Sequence, residues 1–165
     1  MVHIHNNLRS MFSKLGKPVA LLGLSLAMLS GCALTPQAQA QLQTDLGVTV
    51  NSIRGNKGKL CLKIFSSAQG FPNGDVGAVK RQCTKITGNS MSFNFPNLKS
   101  GSYAVAVYHD ANGNNKFDRD TAGIPLEGYG FSQNPNVTNK APSFGDSVLL
   151  LAGSGLQTQI RMRYP

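Results

Sequence analysis

Oxygen-bearing side chains recur at short intervals in one stretch of this 165-residue chain, HDANGNNKFDRDTAGIPLEGYGFSQN at positions 109–134. Alternate residues of a tight loop point toward one centre, and oxygen ligands at that spacing are typical of EF-hand-type calcium loops. The candidate ligands are Asp110, Asn112, Asn114, Lys116 through its carbonyl group, and Asp118. This spacing predicts a calcium site of modest affinity, with a dissociation constant of about 10⁻⁴ to 10⁻³ M.

Two positions depart from the EF-hand pattern. Position six of the loop is Asn115 instead of Gly, although Asn also tolerates the left-handed backbone of such a turn. Position twelve is Thr121 and not a bidentate Glu, so Asp120 or the more distant Glu127 would have to complete the site. A solvated turn rich in Asn and Asp, without an ion, is the alternative interpretation.

A second chemistry is conceivable at the same place, because His109 directly precedes the loop and Glu127 follows it. Such a pair would serve a metal-assisted hydrolase as acid and base. The chain offers Ser132 or Ser143 as a nucleophile, but neither lies in a G-x-S-x-G motif. We therefore expect His109 to end a strand and hydrogen-bond the loop backbone, and we expect no catalytic residue.

Tyr129 and Phe131 alternate with glycines shortly after the loop. They could form a stacking surface for sugars. Aromatic residues at this spacing more often anchor a loop against the edge of a sheet.

The loop follows a segment with the period of a β-strand, in which Tyr and Val alternate with Ala at 103–107. Alternation or apolar runs predict further strands at 46–50, 60–64, 82–86, 91–95, 146–151 and 156–162. The turn sequence RGNKG at 54–58 predicts that the first two strands form an antiparallel hairpin, and the run DSVLLL at 146–151 is typical of a buried strand. About seven short strands with Gly- and Pro-rich turns predict an all-β fold, a single antiparallel β-sandwich over residues 45–165.

The N-terminus has the pattern of an export signal. Arg9, Lys14 and Lys17 precede an apolar run at 18–30 that is too short to span a membrane as a helix. Leu29–Cys32 resembles a bacterial lipobox, which would make residues 1–32 the signal and Cys32 the lipidation site. The alternative is cleavage after Ala40 by ordinary signal peptidase, which releases a periplasmic or extracellular protein. Residues 33–44 are polar and small and form a tether, or are partly removed.

The two remaining cysteines, Cys61 and Cys83, are expected to form a disulfide in an oxidising compartment. Closing a loop of this length would stabilise the fold by about 3 kcal/mol on the chain-entropy model. A two-cysteine metal site is the alternative, but the sequence has no C-x-x-C spacing to support it.

The formal net charge is +9, and residues 1–40 hold three basic and no acidic residues, which leaves +6 for the remainder. An exported protein rarely meets nucleic acid, and the basic residues are scattered along the chain. Attraction to anionic lipid headgroups or acidic polysaccharide is therefore the more plausible consequence, and a merely solvated face more plausible still.

The segment NLKSGSYAVAVYHDANGNNKFDRDTAGIPLEGYGFSQN at 97–134 is similar to the core signature of the secreted bacterial family named domain of unknown function 2141. LCLKIFSSAQGF upstream and APSFGDSVLL downstream continue the resemblance, which covers about residues 46–164. It implies an exported β-sandwich and no established activity. LKSGSYAVAVYHD also resembles a strand of prealbumin-like and carboxypeptidase-regulatory-like sandwiches, and adhesin B-type repeats in that group place a calcium loop after a comparable strand.

Together these features predict a non-enzymatic, calcium-stabilised module of the cell envelope, monomeric and either lipid-anchored or secreted. Its expected partner is a glycan or an envelope protein. The alternative is a metal-assisted hydrolase that uses His109 and Glu127.

Overall fold

The computed structural model describes residues 43–138 and 140–165. The signal segment 1–32 with Cys32, the cleavage site after Ala40, and all but the last two residues of the tether lie outside the described residues. Within these ranges no helix is long and apolar enough to cross a membrane. The strands are β1 (Gln43–Asn51), β2 (Lys59–Phe65), β3 (Ala78–Lys85), β4 (Ser90–Lys99), β5 (Gly101–Asp110), β6 (Tyr129–Phe131), β7 (Val148–Leu151) and β8 (Leu156–Arg161), with a 3-10 helix at Gly145–Ser147.

Two sheets pack face to face, which confirms the predicted all-β sandwich. One sheet has the order β4-β1-β8, and the other has the order β3-β2-β5-β6 with β7 also paired to β5. One pairing departs from the antiparallel expectation, because β1 and β8 run parallel from Leu46 opposite Leu156 to Asn51 opposite Arg161. Side-chain alternation has the same period in both kinds of pair, so the sequence pattern alone does not distinguish them.

The predicted hairpin of the first two strands is wrong, since β1 and β2 belong to different sheets. β1 pairs with β4 and β8, whereas β2 pairs with β3 and β5. The edge of β1 continues to Ile53, whose N–H donates to the carbonyl of Asn89 at 3.0 Å. Residues 54–58 connect the two strands, but the connection crosses from one sheet to the other. The apolar faces of β1 and β2 therefore pack against each other across the core, and the two strands do not share backbone hydrogen bonds.

The core is formed by the inward-facing residues of both sheets. Period-two alternation places the apolar side chains of each strand on one face, where burial contributes roughly 1.5–3 kcal/mol for a large aliphatic or aromatic group. The most completely buried members are Leu46, Val48, Val50, Leu60, Leu62, Ile64, Val105, Val107, Leu151 and Ile160.

β7 is only half-buried, contrary to the expectation from its apolar run. Leu149 and Leu151 face the core, whereas the side chain of Leu150 is 72% exposed. The first residues of the run, Asp146 and Ser147, belong to the 3-10 helix and not to a strand. Among the described strands β7 pairs with β5 alone, and the face that carries Leu150 is not covered by other segments.

The outer face of the larger sheet carries a second apolar cluster, formed by Phe65, Ala106 and Phe131 with half-buried Phe71 and Phe144 against it. β2 and β5 are consequently buried on both faces along most of their length. Loop segments cover this outer face of the sandwich, and the candidate site lies among them.

The predicted disulfide is confirmed. Cys61 of β2 and Cys83 of β3 are bonded and lie directly opposite each other in the antiparallel ladder, with their Cα atoms 4.0 Å apart. The bond ties β3, whose side chains are mostly exposed, to the buried strand β2. It leaves no free thiol among the described residues for the alternative metal site.

Candidate functional site

Asp110, the last residue of β5, opens the candidate cation loop. Its side chain is fully buried, at 0% exposure. One carboxylate oxygen, Oδ2, accepts a hydrogen bond from the backbone N–H of Asn115 at 3.0 Å, so the carboxylate faces the loop. The other oxygen, Oδ1, has no hydrogen-bond partner. A buried carboxylate oxygen without a partner is costly, and few are found in native proteins.

Asn112, Asn114 and Asp118 converge in the same loop, as their spacing predicts. The side-chain amide of Asn112 donates to Oδ2 of Asp118 at 2.6 Å. The amide of Asn114 donates to both oxygens of Asp118, at 3.1 and 2.9 Å. The amide oxygens accept backbone N–H groups two residues ahead: Asn112 from Asn114 at 3.0 Å, and Asn114 from Lys116 at 2.8 Å.

The turn at loop position six has the left-handed backbone that an EF-hand loop places there. Asn115 has a φ of 62°, and Gly113 has a φ of 79°. The Asn115 carbonyl accepts the hydroxyl of Tyr108 at 3.2 Å, and its side-chain oxygen accepts from Lys59 at 3.2 Å. The loop is therefore fixed to β2 and β5 at its middle as well as at its start.

Glu127 joins the two ends of the loop. One of its oxygens accepts the N–H of Ala111 at 2.9 Å, and the other accepts the N–H of Asp118 at 3.0 Å. The side chain is buried, and a carboxylate that accepts two backbone N–H groups is a strong bracing element. Glu127 thus contacts the backbone at both ends of the loop, and its role as a cation ligand stays a prediction.

Asp120 lies outside this constellation. Its Oδ1 atom accepts the N–H groups of Ala122 at 3.0 Å and Ile124 at 2.7 Å, which closes the next turn of the chain. Lys116 is placed in the loop by its N–H bond to Asn114. No three His, Cys, Asp or Glu side chains cluster at metal-binding distance in the described part of the chain. A cation here would consequently need amide and carbonyl oxygens in addition to Asp110 and Asp118.

His109 has both ring nitrogens in hydrogen bonds away from Glu127. Nε2 lies 2.9 Å from the carbonyl of Lys57, and Nδ1 lies 3.0 Å from the hydroxyl of Tyr164. Because a carbonyl only accepts, Nε2 donates and Nδ1 of the neutral ring accepts from Tyr164. The tyrosine hydroxyl accepts the N–H of Arg54 at 2.9 Å. His109 lies near the end of β5 as expected, but its ring bonds the Lys57 carbonyl and Tyr164 and not the backbone of the cation loop.

Neither candidate nucleophile faces His109. The hydroxyl of Ser132 is fully buried, where it accepts the N–H of Val105 and donates to the carbonyl of Ser147. The hydroxyl of Ser143 donates to Asp146 at 2.6 Å on the surface. The residues proposed for a hydrolase therefore do not form one constellation.

An array of aromatic rings runs from the loop across the outer face of the larger sheet. Phe117 lies 5.9 Å from the ring of Tyr108 and 6.1 Å from that of Tyr129, and Tyr129 lies 5.8 Å from Phe131. The guanidinium carbon of Arg119 lies 4.7 Å from the centre of the Phe117 ring. Tyr129 and Phe131 form β6 itself, so they are part of the sheet as well as of this array.

A cleft of about 400 Å³ opens beside these rings, between the turn at 72–75 and the loop segment 115–119. Its floor includes Lys63, which is only 7% exposed. Nζ of Lys63 lies 2.8 Å from Oδ1 of Asp75 and donates to the carbonyls of Asn73 and Gly74 at 3.2 and 3.4 Å. Arg81 reaches the same oxygen of Asp75 at 2.5 Å.

The pKa values of two side chains in the cleft are shifted by its charges and its burial. The hydrogen bond from Lys63, and then the charges of Lys63 and Arg81, hold the pKa of Asp75 below its usual value of 3.8. Burial raises the pKa of Tyr108, partly opposed by the charge of Arg81, so its phenol stays protonated at neutral pH.

A family profile described as "uncharacterized protein conserved in bacteria (DUF2141)" matches residues 48–159. The chain belongs to this family. No curated protein and no solved structure matches it. The match begins in β1 and ends in β8, so it includes both sheets, the candidate loop and the cleft of this DUF2141 domain.

Sequence reasoning missed three features of the candidate site and its surroundings. Tyr164, which holds His109, is 55 residues away along the chain. Lys63 lies between Leu62 and Ile64 in β2, and a cation in the middle of a run of apolar residues is the signal that could have identified it. Nη2 of Arg119 donates to Oδ1 of Asn73 across the cleft at 3.3 Å. The two residues lie in loops far apart in the sequence, so no local pattern predicts this contact.

Proposed function

We propose that this DUF2141 protein is a non-enzymatic module of the bacterial cell envelope that binds calcium through the loop 110–118. The ion would hold the loop and its surroundings as a fixed surface for a glycan or an envelope protein. The observation that carries the proposal is the buried Oδ1 atom of Asp110, which has no partner and belongs to a carboxylate turned toward the loop. Calcium prefers such hard oxygen ligands.

The hydrogen bonds around Asp118 support the same interpretation. The amide N–H groups of Asn112 and Asn114 donate to this carboxylate, where they supply partial positive charge. A cation would supply that charge more strongly, and the carboxamide groups of both asparagines also carry an oxygen that can act as a ligand. The proposed ligands are Asp110, Asn112, Asn114, the Lys116 carbonyl and Asp118.

The remaining acidic residues have other roles in this proposal. Glu127 braces the loop by accepting N–H groups at both of its ends, which keeps the ligand-bearing backbone in place. Asp120 caps the following turn and is left out of the ligand set. Two carboxylates for one divalent ion correspond to a dissociation constant of about 10⁻⁴ to 10⁻³ M, which suits an extracellular module.

We also propose that the protein works outside the cytoplasm, attached through a lipid on Cys32 or released by cleavage after Ala40. The Cys61–Cys83 disulfide supports an oxidising compartment, because such bonds persist mainly in exported proteins. No observation favours the hydrolase. His109 is held by Lys57 and Tyr164, and neither candidate serine faces it.

The test is a calcium titration of the purified protein, followed by thermal unfolding. Calcium at about 10 to 100 times the dissociation constant should stabilise the native state by about 1.4–2.7 kcal/mol. For a domain of this size, that stabilisation raises the unfolding midpoint by roughly 3–10 °C. A midpoint that is unchanged at calcium concentrations of about 10 to 100 mM contradicts the proposal.

Substitutions that remove one negative charge locate the site. D110N and D118N should abolish the calcium-dependent rise, because each removes a proposed anionic ligand. D120N makes the same charge change in a turn outside the ligand set and should keep the full response. A D120N variant that loses the response as completely as D118N would show general charge attraction and not this loop.

A further inference from the structure

We propose that the cleft between residues 72–75 and 115–119 binds an acidic sugar, with its carboxylate or phosphate among the cations and its ring against the aromatic wall. This assignment rests on the proposed function as a binding module, and it names the class of ligand. It concerns a different set of side chains from the calcium ligands.

Uncompensated positive charge is the first observation. Four cationic side chains and a single carboxylate line the cleft: Lys63, Arg81, Lys116, Arg119 and Asp75. Lys63 and Arg81 share one oxygen of Asp75, and these are the two ion pairs formed among the described residues. Arg119 donates to Asn73 and to the Gly123 carbonyl, which are neutral acceptors. The cleft therefore carries a net positive charge, which an anionic ligand would balance.

The burial of Lys63 separates this cleft from an ordinary basic surface. Scattered surface lysines are usually just solvated. Lys63 projects from the outer face of β2, is 7% exposed, and lies under the turn that carries Asn73 and Asp75. Lys63 and Arg81 share the single charge of Asp75, so this group of three keeps a net positive charge where water is partly excluded. An anion bound beside it is attracted more strongly than at an open surface.

The aromatic wall indicates a sugar and not a simple anion. Tyr129 and Phe117 line the cleft, and planar amide groups of Asn73 and Asn115 lie on its other sides. Aromatic rings next to planar polar side chains suit a pyranose, because the ring C–H face packs on the aromatic surface while hydroxyl groups bond the amides.

A second cleft of about 410 Å³ adjoins the first and shares Phe117, Arg119, Tyr129 and Phe131 with it. Ile124, Pro125 and Val137 line this second cleft, which is less charged than the first. Phe117 therefore lies where the two clefts meet. This geometry favours an oligosaccharide that places an acidic residue in the first cleft and a neighbouring residue in the second.

Calcium should strengthen binding without being required for contact. Asn115, Lys116 and Phe117 belong both to the cation loop and to the cleft wall. An ion that orders this loop would lower the entropy lost when the ligand binds. Asn73, Lys63 and Arg81 lie on other segments of the chain, so part of the cleft is formed without the loop.

The experiment is isothermal calorimetry of the purified protein with a hyaluronan tetrasaccharide, whose glucuronate residues carry carboxylates, and with neutral cellotetraose. We expect the acidic sugar to bind about tenfold more tightly or better, since charge-assisted hydrogen bonds supply the difference. Glucose 6-phosphate tests whether phosphate replaces the carboxylate. Equal affinity for the acidic and the neutral sugar, or no binding of either, overturns the proposal.

Charge-matched variants locate the binding. R119Q and R81Q should each weaken binding of the acidic tetrasaccharide about fivefold or more, because each removes a cation from the cleft. R161Q removes an exposed cation of β8, outside the cleft, and should bind within about twofold of the unmodified protein. A loss in R161Q as large as that in R119Q would indicate diffuse charge attraction. Among the described residues the Arg81 side chain donates to Asp75 alone, so R81Q keeps the test usable if R119Q fails to fold.

Two further measurements separate this inference from the calcium proposal. Binding of the tetrasaccharide in EGTA tests the cleft alone, and the calcium-dependent unfolding midpoint without sugar tests the loop alone. Failure of the first with success of the second removes the sugar site and leaves the calcium module. Binding to phosphatidylglycerol vesicles without binding to the tetrasaccharide would assign the cations to a lipid surface and overturn the proposal.

Discussion

The hydroxyl of Tyr164 lies 3.0 Å from Nδ1 of His109, which joins the C-terminal segment to the end of β5 where the cation loop begins. The same hydroxyl accepts the N–H of Arg54, whose guanidinium lies 4.8 Å from the centre of the tyrosine ring. Burial raises the pKa of Tyr164, partly opposed by Arg54, so the phenol remains a donor at neutral pH. A Cβ atom at position 128 would overlap this ring, and glycine is therefore required there.

Removing the Tyr164 hydroxyl should destabilise the fold. In Y164F, Nδ1 of His109 loses its donor and the Arg54 N–H loses its acceptor, so we expect a loss of about 1–3 kcal/mol in the free energy of unfolding. Urea unfolding measures this loss. Y129F is the control, because no hydrogen bond is formed by the Tyr129 hydroxyl in the described part of the chain. Equal stability of Y164F and the unmodified protein would contradict the role assigned to this contact.

Glu127 should be intolerant of amidation. E127Q leaves one accepting oxygen and directs an NH₂ group at a backbone N–H of Ala111 or Asp118, which places two donors against each other. We expect a cost of about 2–3 kcal/mol, measured by urea unfolding without calcium. D120N is the matched control, because a single oxygen of Asp120 accepts both of its bonds and an amide can keep that oxygen. A similar cost in both variants argues against the brace.

The Asp75 pair predicts a pH dependence of stability. Its folded pKa is lowered by Lys63 and Arg81, so the carboxylate contributes stability that is present above its unfolded value of 3.8 and is lost as the pH falls through the lower folded pKa. The stability difference between the unmodified protein and D75N should therefore be largest at neutral pH and shrink in acid below that value. Urea unfolding at a series of pH values measures it. A difference that is independent of pH disproves this assignment.

The approach of β6 to the smaller sheet requires glycine at position 130. A Cβ atom there would lie 2.7 Å from Cγ2 of Ile160 and 3.1 Å from the carbonyl of Arg161. G130A should cost about 1–3 kcal/mol, because both neighbours belong to packed strands. G88A adds the same methyl group with only one atom within 4 Å, the carbonyl of Ser90 at 3.7 Å, and should change stability little. Thermal unfolding of the two variants compares them directly.

Loss of the disulfide should weaken the exposed strand β3. The double variant C61A/C83A is expected to lose about 3 kcal/mol of stability, because its unfolded chain is no longer constrained by a closed loop. Dithiothreitol should lower the unfolding midpoint of the unmodified protein and leave that of the double variant unchanged. An equal decrease of the midpoint in both proteins would show that dithiothreitol does not act through this disulfide and would contradict the prediction.

The strand positions were predictable because alternation is a local property of the chain. Leu60, Leu62 and Ile64 fall on one face of any extended strand, whatever its partners are. The loop was predictable for the same reason, since Asn112, Asn114 and Asp118 are only two and four residues apart and are brought together by one local turn. The disulfide was predictable because Cys61 and Cys83 are the two cysteines of the sequence that follow the N-terminal region.

Strand partners and the cleft depended on the tertiary structure. The sequence by itself determined which residues form strands, which residues form the loop, and that the chain carries an export pattern. Only the folded chain decided that β1 pairs with β8 in parallel, that His109 turns to Tyr164, and that Lys63 lies under Asp75. These contacts join segments far apart in sequence, and they are selected by the packing of whole sheets and loops, which no local spacing encodes.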